Sequence, residues 1–278
     1  MKTRRDFLQH TLAAGEVLGL AGTREILAAG LPLDPQPGAR NAGPSPDSSL
    51  SIGFIIYPRM DQIDFTGPFE VLSRVPNATI HVLGRERGPI RDFNGLILTA
   101  EEPLADAPPL DVLVVPGGPG QQELMEDEAV LSFIRDREAR ARYVFSVCTG
   151  ALICGAAGLL KGVRTTTHWA SFEFLKYFGA IPVNERVVID GKHISAAGVT
   201  AGIDGALNLA SLLRGDRVAQ EIQLEIEYAP EPPFQSGTPA TAPPAVLEAV
   251  KAGIRGLTLQ RTATARRVAA KLGVVVTD

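Results

Sequence analysis

Residues 143–162 read YVFSVCTGALICGAAGLLKG. The stretch is β-branched and aromatic up to Val147, then small and helix-forming from Gly150, with only Cys148 and Thr149 between. A buried strand that passes into a helix across so short a turn is the repeating unit of a parallel α/β sheet. A thiol on that turn projects above the sheet edge, and its neighbours must be small for the chain to bend so sharply. Ser146, Thr149 and Gly150 meet this requirement. The free N–H groups of the following helix then face the sulfur, so a thiolate is expected over a thiol. Cysteine is also a common buried residue, but the small flanking residues favour a nucleophile at Cys148. Cys154, among Ile153, Ala156 and Ala157, reads as core.

Outward from this turn, strands and helices alternate. LSIGFIIY (50–57), TIHVLG (79–84), LDVLVVPGG (110–118) and RYVFSV (142–147) read as strands. DQIDFTGPFEVLSRV (61–75) reads as a helix capped by Thr66 or Gly67, with Pro68 at its first position. QQELMEDEAVLSFIRDREARA (121–141) is expected to be one surface helix, and THWASFEFLKYFG (167–179) another. A hairpin or short crossing strands are expected about Asn94-Gly95, and a hairpin about Asp190-Gly191. Helices follow over 200–215 and 216–228, then a proline-rich excursion over 229–244. The pattern predicts a single-domain α/β sandwich, flavodoxin-like, with a mostly parallel central sheet and helices on both faces. Ligands in such sheets bind at the carboxyl ends of the strands. The folded catalytic domain is expected over 50–244, with 245–278 a helical tail of one or two amphipathic helices.

Composition narrows the partners. The chain has 278 residues, 45 % hydrophobic and 21 % charged, with a net charge of −4. No run of like charges offers a footprint for nucleic acid. No stretch after residue 50 has the roughly 18 apolar residues of a membrane span, so no membrane partner is expected for the mature form. TRRDFLQ (3–9), followed by TLAAGEVLGLAG (11–22), resembles a twin-arginine export signal over 1–30, and a Pro/Gly/Ser-rich linker follows over 31–49. The same residues also suit a basic amphipathic helix. Export would place the protein in the periplasm, with the cytoplasm as the alternative. Cys148 and Cys154, six residues apart on one helix, would lie about 9 Å apart and face different ways, so no disulfide is expected between them. Four histidines, at 10, 81, 168 and 193, make no metal signature.

A thiol that attacks a small electrophile needs a proton source and donors for developing charge. PGGPG (116–120) allows close backbone approach, and Gly117 and Gly118 are expected as oxyanion donors. Asp64 is expected between the first strand and the first helix, on the same sheet edge, as the acid or else as a solvated carboxylate at the helix start. Asp61 reads as a solvated carboxylate. His168 either serves the thiol or only caps and packs. Tyr228 and Phe234 are offered as a pocket wall.

Together these segments resemble the isonitrile hydratase (cyclohexyl-isocyanide hydratase) family of the PfpI/amidotransferase-like superfamily. The resemblance spans 52–244. It is carried by IGFIIYPRMDQIDFTGPFEVL (52–72), LDVLVVPGGPG (110–120), ARYVFSVCTGALICGAAGLLKGVRTTTHW (141–169), GVTAGID (198–204) and EYAPEPPF (227–234). It implies Cys148 as nucleophile, Asp64 as acid/base and Thr149 beside them. It further implies a homodimer, no metal or organic cofactor, and hydration of a small-molecule isonitrile to an N-substituted formamide. Three other uses of the thiol remain: an enzyme acting on another small electrophile such as an aldehyde or amide, a non-catalytic redox sensor, and, least of all, a regulator.

Overall fold

A computed structural model describes residues 48–276. The export signal expected over 1–30, and the linker but for its last two residues, lie outside them. The elements run β1 (Leu50–Ile55), α1 (Gln62–Leu72), β2 (Ala78–Gly84), β3 (Gly88–Arg91), β4 (Ile97–Ala100), β5 (Glu102–Pro103) and β6 (Val112–Val115). Then come α2 (Gln121–Leu124), α3 (Glu128–Arg140), β7 (Tyr143–Val147), α4 (Gly150–Ala156) and β8 (Arg164–Thr165). A 3₁₀ helix over Trp169–Phe178 precedes β9 (Ile181–Pro182), β10 (Val187–Asp190), β11 (His193–Ala196), α5 (Ala201–Arg214), α6 (Asp216–Glu225) and α7 (Pro244–Leu272).

The main sheet has the order β10-β11-β7-β6-β1-β2-β5, parallel throughout except for β10. Its five central strands, β2-β1-β6-β7-β11, follow the flavodoxin-like order. The winding reverses between β1 and β6, and the crevice outside their carboxyl ends is where such sheets take ligands. Phe145 and Val147 of β7 pack under Gly205 and Gly202 of α5, and α5 packs on α1. On the other side, α3 and α4 lie against β6, with α4 carrying the 3₁₀ helix and α7. The buried runs VLVV of β6 and VFSV of β7 are thus covered on both faces, which is why they lack polar alternation. β3–β4 and β10–β11 are antiparallel hairpins about the expected turns.

Three helices depart from expectation. α1 begins at Gln62, because the Asp61 carboxylate accepts the Ile63 N–H at 3.0 Å and caps the helix five residues before Thr66. Pro68 therefore lies inside the helix, where it withdraws the N–H that would bond the Asp64 carbonyl. Residues 121–141 form two helices, since the Asp127 side chain accepts from Ala129 and Val130 and starts α3 afresh. Residues 169–178 are 3₁₀, not α.

Candidate active site

Three turns at the carboxyl edge meet. Cys148 has φ +54°, the left-handed region that L-residues with a side chain rarely enter. It is held from both sides: its N–H donates to Ala196 O at 2.9 Å, and its own carbonyl accepts from Thr167 Oγ1 at 2.7 Å. The turn after β6 touches it backbone to backbone. A Cβ on Gly117 would stand 2.4 Å from Thr149 N, and one on Gly150 would stand 1.9 Å from Val115 O. Glycine is therefore a packing requirement at both positions, and the sharp strand-to-helix turn read from the sequence is present.

Asp64 does not precede the helix but stands on the first turn of α1, because Asp61 starts that helix early, and it is fully buried. The Gly117 N–H donates to its Oδ2 at 2.9 Å. Its Oδ1 has no hydrogen bond of ordinary geometry, although the Cys148 side chain faces the carboxyl closely enough to draw its pKa down. Burial, reinforced by the Asp61 charge, wins and pushes Asp64 up to about 8. The carboxyl is therefore protonated at neutral pH. Asp61 is no free surface carboxylate: it caps α1, and burial raises its pKa.

The sulfur differs from the expected thiolate. Burial and the neighbouring Asp64 raise the thiol well above its ordinary value, against the Thr149 N–H and Arg261, which lower it. The turn of N–H groups at the start of α4 is outweighed by desolvation. The glycine donors are also reassigned. The Gly117 N–H is committed to Asp64, and the Gly118 N–H to Thr149 Oγ1 at 3.0 Å. Both N–H groups are engaged within the protein, one on the Asp64 carboxyl and one on the elbow. The Thr149 hydroxyl returns a bond to Gly118 O at 3.3 Å, so it bridges turns and does not reach the carboxylate.

His168 caps the 3₁₀ helix, its Nδ1 accepting the Ala170 N–H at 3.3 Å, and burial lowers its pKa to about 4. A ring nitrogen so engaged packs and caps. Tyr228 donates to Asp204 Oδ2 at 3.1 Å, and Phe234 is 77 % exposed. A cavity of about 560 Å³ lies beside the site, bounded by Tyr57, Pro58, Arg87, Ile90, Leu104 and Leu124, and does not include Cys148 or Asp64.

Two residues escaped the sequence reading. Tyr57, just past β1, is buried and donates to Pro116 O at 2.8 Å, pinning the β6 turn. Arg261 comes from α7 and is 6 % exposed. Its Nε donates to Gln121 Oε1 at 2.8 Å and its Nη1 to Ser171 Oγ at 3.1 Å. Its signal was there: Arg261, Thr264, Ala265, Val268 and Ala269 stand at helical spacing on one buried stripe.

A buried carboxyl and a strained thiol at the carboxyl edge of this sheet have counterparts among known proteins. The isonitrile hydratase of Pseudomonas putida is 51 % identical over 227 residues, 81 % of this chain and 99 % of that protein. The crystal structure of a ThiJ/PfpI family protein from Pseudomonas syringae aligns at 38 % identity with a TM-score of 0.77, covering 86 % of this chain and 98 % of that one. Drosophila melanogaster DJ-1beta, at 23 % identity and a TM-score of 0.61, shares the fold over 66 % of this chain and all of its own. The DJ-1/PfpI family model matches residues 50–212, from β1 into α5 and so across Asp64, the β6 turn and Cys148. The chain belongs to the DJ-1/PfpI family.

Proposed function

We propose that the protein is an isonitrile hydratase, converting R–N≡C and water to R–NH–CHO through a thioimidate on Cys148. The observation that carries this is the Asp64 carboxyl, buried, raised to about 8 and facing the thiol with Oδ1 unengaged. The terminal carbon of an isonitrile accepts a nucleophile only if a proton arrives as the bond forms, since a carbanion there is costly. In the reactive form the pair holds one proton, which the thiol binds more tightly and hands to the Asp64 carboxylate as the substrate arrives, so that the sulfur attacks as thiolate with the proton on Asp64. The sulfur bonds to carbon while Asp64 protonates the same carbon, giving R–N=CH–S–Cys148 and an ionised Asp64. The carboxylate next takes a proton from water as its oxygen attacks that carbon, and passes the proton to nitrogen. The C–S bond of R–NH–CH(OH)–S–Cys148 then breaks, the electron pair returns to sulfur, and the hydroxyl proton returns to Asp64. Two hydrogens and one oxygen enter the product, and the pair regains its starting state. Cys148 is 5 % exposed, and an isonitrile needs to present only one terminal carbon to the sulfur. The relationship to the Pseudomonas putida enzyme over nearly its whole length supports the same reading. Turnover of cyclohexyl isocyanide by the purified protein, with the formamide detected by proton NMR, is the test. Release of no formamide, beside turnover of an aldehyde or amide, would replace the substrate class.

The same reading includes a homodimer and export to the periplasm. Ile63, Phe93, Leu96 and Ile97 are exposed apolar side chains, and the Phe93 N–H bond to Met60 O at 3.1 Å sets the last three beside the start of α1. Such a patch suits a second copy, and sedimentation of wild type against Ile97→Glu tests it. For export, the Arg4-Arg5 pair is the support, and substituting lysine for both is expected to retain the protein in the cytoplasm. A net charge of −4 supports a protein that binds neither nucleic acid nor an anionic membrane.

A further inference from the structure

A guanidinium is seldom buried without an acid beside it, because desolvation strips its hydration and only an anion compensates fully. Arg261 is an exception: among the described residues no carboxylate lies within ion-pair distance, and its two bonded partners, Gln121 and Ser171, are neutral. Those partners sit on the two segments that clasp the elbow. Gln121 follows directly on the PGGPG turn that fixes Asp64 and Thr149. Ser171 follows Thr167, whose hydroxyl holds the Cys148 carbonyl. We propose that Arg261 is a positioning residue for Cys148, a preorganised cation held by Gln121 and Ser171 whose unspent charge offsets the negative charge on sulfur whenever the sulfur is an anion.

This rests on Cys148 being the attacking group. In the hydration described above, the sulfur is anionic before attack and again on release, so a fixed cation assists both ends of the cycle without reorganising. The other groups facing the sulfur cannot do this. Asp61, the cap of α1, opposes its charge, Asp64 is neutral while the sulfur is an anion, Tyr57 is a neutral phenol, and His168 is held neutral by burial. Arg261 is the cation whose field acts on both Cys148 and Tyr57. The sequence supplies this charge from α7, more than one hundred residues beyond the elbow.

The test is alkylation of Cys148 by neutral iodoacetamide from pH 6 to 10 in the full chain, followed by peptide mass spectrometry, with no isonitrile present. Arg261→Gln is expected to slow alkylation at pH 8 by at least about tenfold and move its profile to higher pH. Arg261→Lys, which keeps the charge, is expected to stay within about threefold of wild type. Gln121→Glu keeps the bond to Nε but pairs off the charge, and is expected to behave like Arg261→Gln even if the latter folds poorly. The proposal is overturned if Gln121→Glu alkylates at the wild-type rate, or if Arg261→Gln lowers only the melting temperature and leaves the pH profile in place. A wild type that shows the expected alkylation series but makes no formamide would sink the hydratase reading and leave Arg261's role standing.

Discussion

At the scale of single residues, Asp64 and Cys148 share a burial that neither would tolerate alone, and their titrations are coupled. Below about pH 8 the pair carries two protons, because burial and the Asp61 charge hold Asp64 neutral beside a thiol already raised by desolvation. The chemistry uses one proton, so a proton must leave before attack. The expected profile of kcat/KM for an alkyl isonitrile therefore rises about tenfold per pH unit on the acid side and levels near pH 8. A profile flat from pH 5 to 8 would contradict it. Cys148→Ala is expected to make no formamide, and survival of full turnover would refute the covalent route. Asp64→Asn is expected to fold and keep the sulfur, yet lose about 10²-fold or more in kcat, since no group remains to protonate the isonitrile carbon.

At the scale of elements, the site is built by turns that touch. Gly117→Ala would bring a methyl group to 2.4 Å from Thr149 N and 2.8 Å from Gly150 N, both backbone atoms that cannot swing aside. A loss of about 1–3 kcal/mol is expected on thermal unfolding, with a fall in turnover because the N–H that holds Asp64 moves too. Gly256→Ala makes the contrast: in α7 a Cβ there meets nothing within 4 Å, and a gain of about 0.5–1 kcal/mol is expected. The elbow was legible because a β-branched run, a thiol and a small-residue helix follow one another without interruption, and the hairpins because Asn-Gly and Asp-Gly mark them. The start of α1 was not, since Pro68 is an ordinary first-turn residue and its signal overrode the weaker one of Asp61 as cap. The break between α2 and α3 was missed because Asp127 lies in an acidic run, where a cap looks like any other carboxylate. The glycine donors were placed at the right turn but given the wrong partner, which only the third dimension supplies.

At the scale of the molecule, buried titratable groups tie stability to pH in opposing senses. Asp64 binds its proton more tightly folded than unfolded, so its stabilising proton is fully present below its ordinary 3.8 and is lost as pH rises through about 8. At about 1.4 kcal/mol per pH unit, that interval is worth on the order of 5 kcal/mol by pH 8. His168 acts in reverse: it is held neutral down to about 4, so the unfolded chain gains protons first as pH falls below its ordinary 6.5. Between about 4 and 6.5 the two slopes oppose each other, and above 6.5 Asp64 acts without that counterweight. His193, also lowered by burial, adds to the His168 slope, so wild-type stability is expected not to fall from pH 5 to 6.5 and then to fall toward pH 8. In Asp64→Asn the fall should vanish and a rise from pH 5 to 6.5 should emerge, leaving the variant more stable than wild type at pH 8 although nearly inactive. Urea midpoints across pH 5–9 measure both curves, and a wild type most stable at pH 8 would mean that Asp64 is ionised in the folded protein and cannot be the acid.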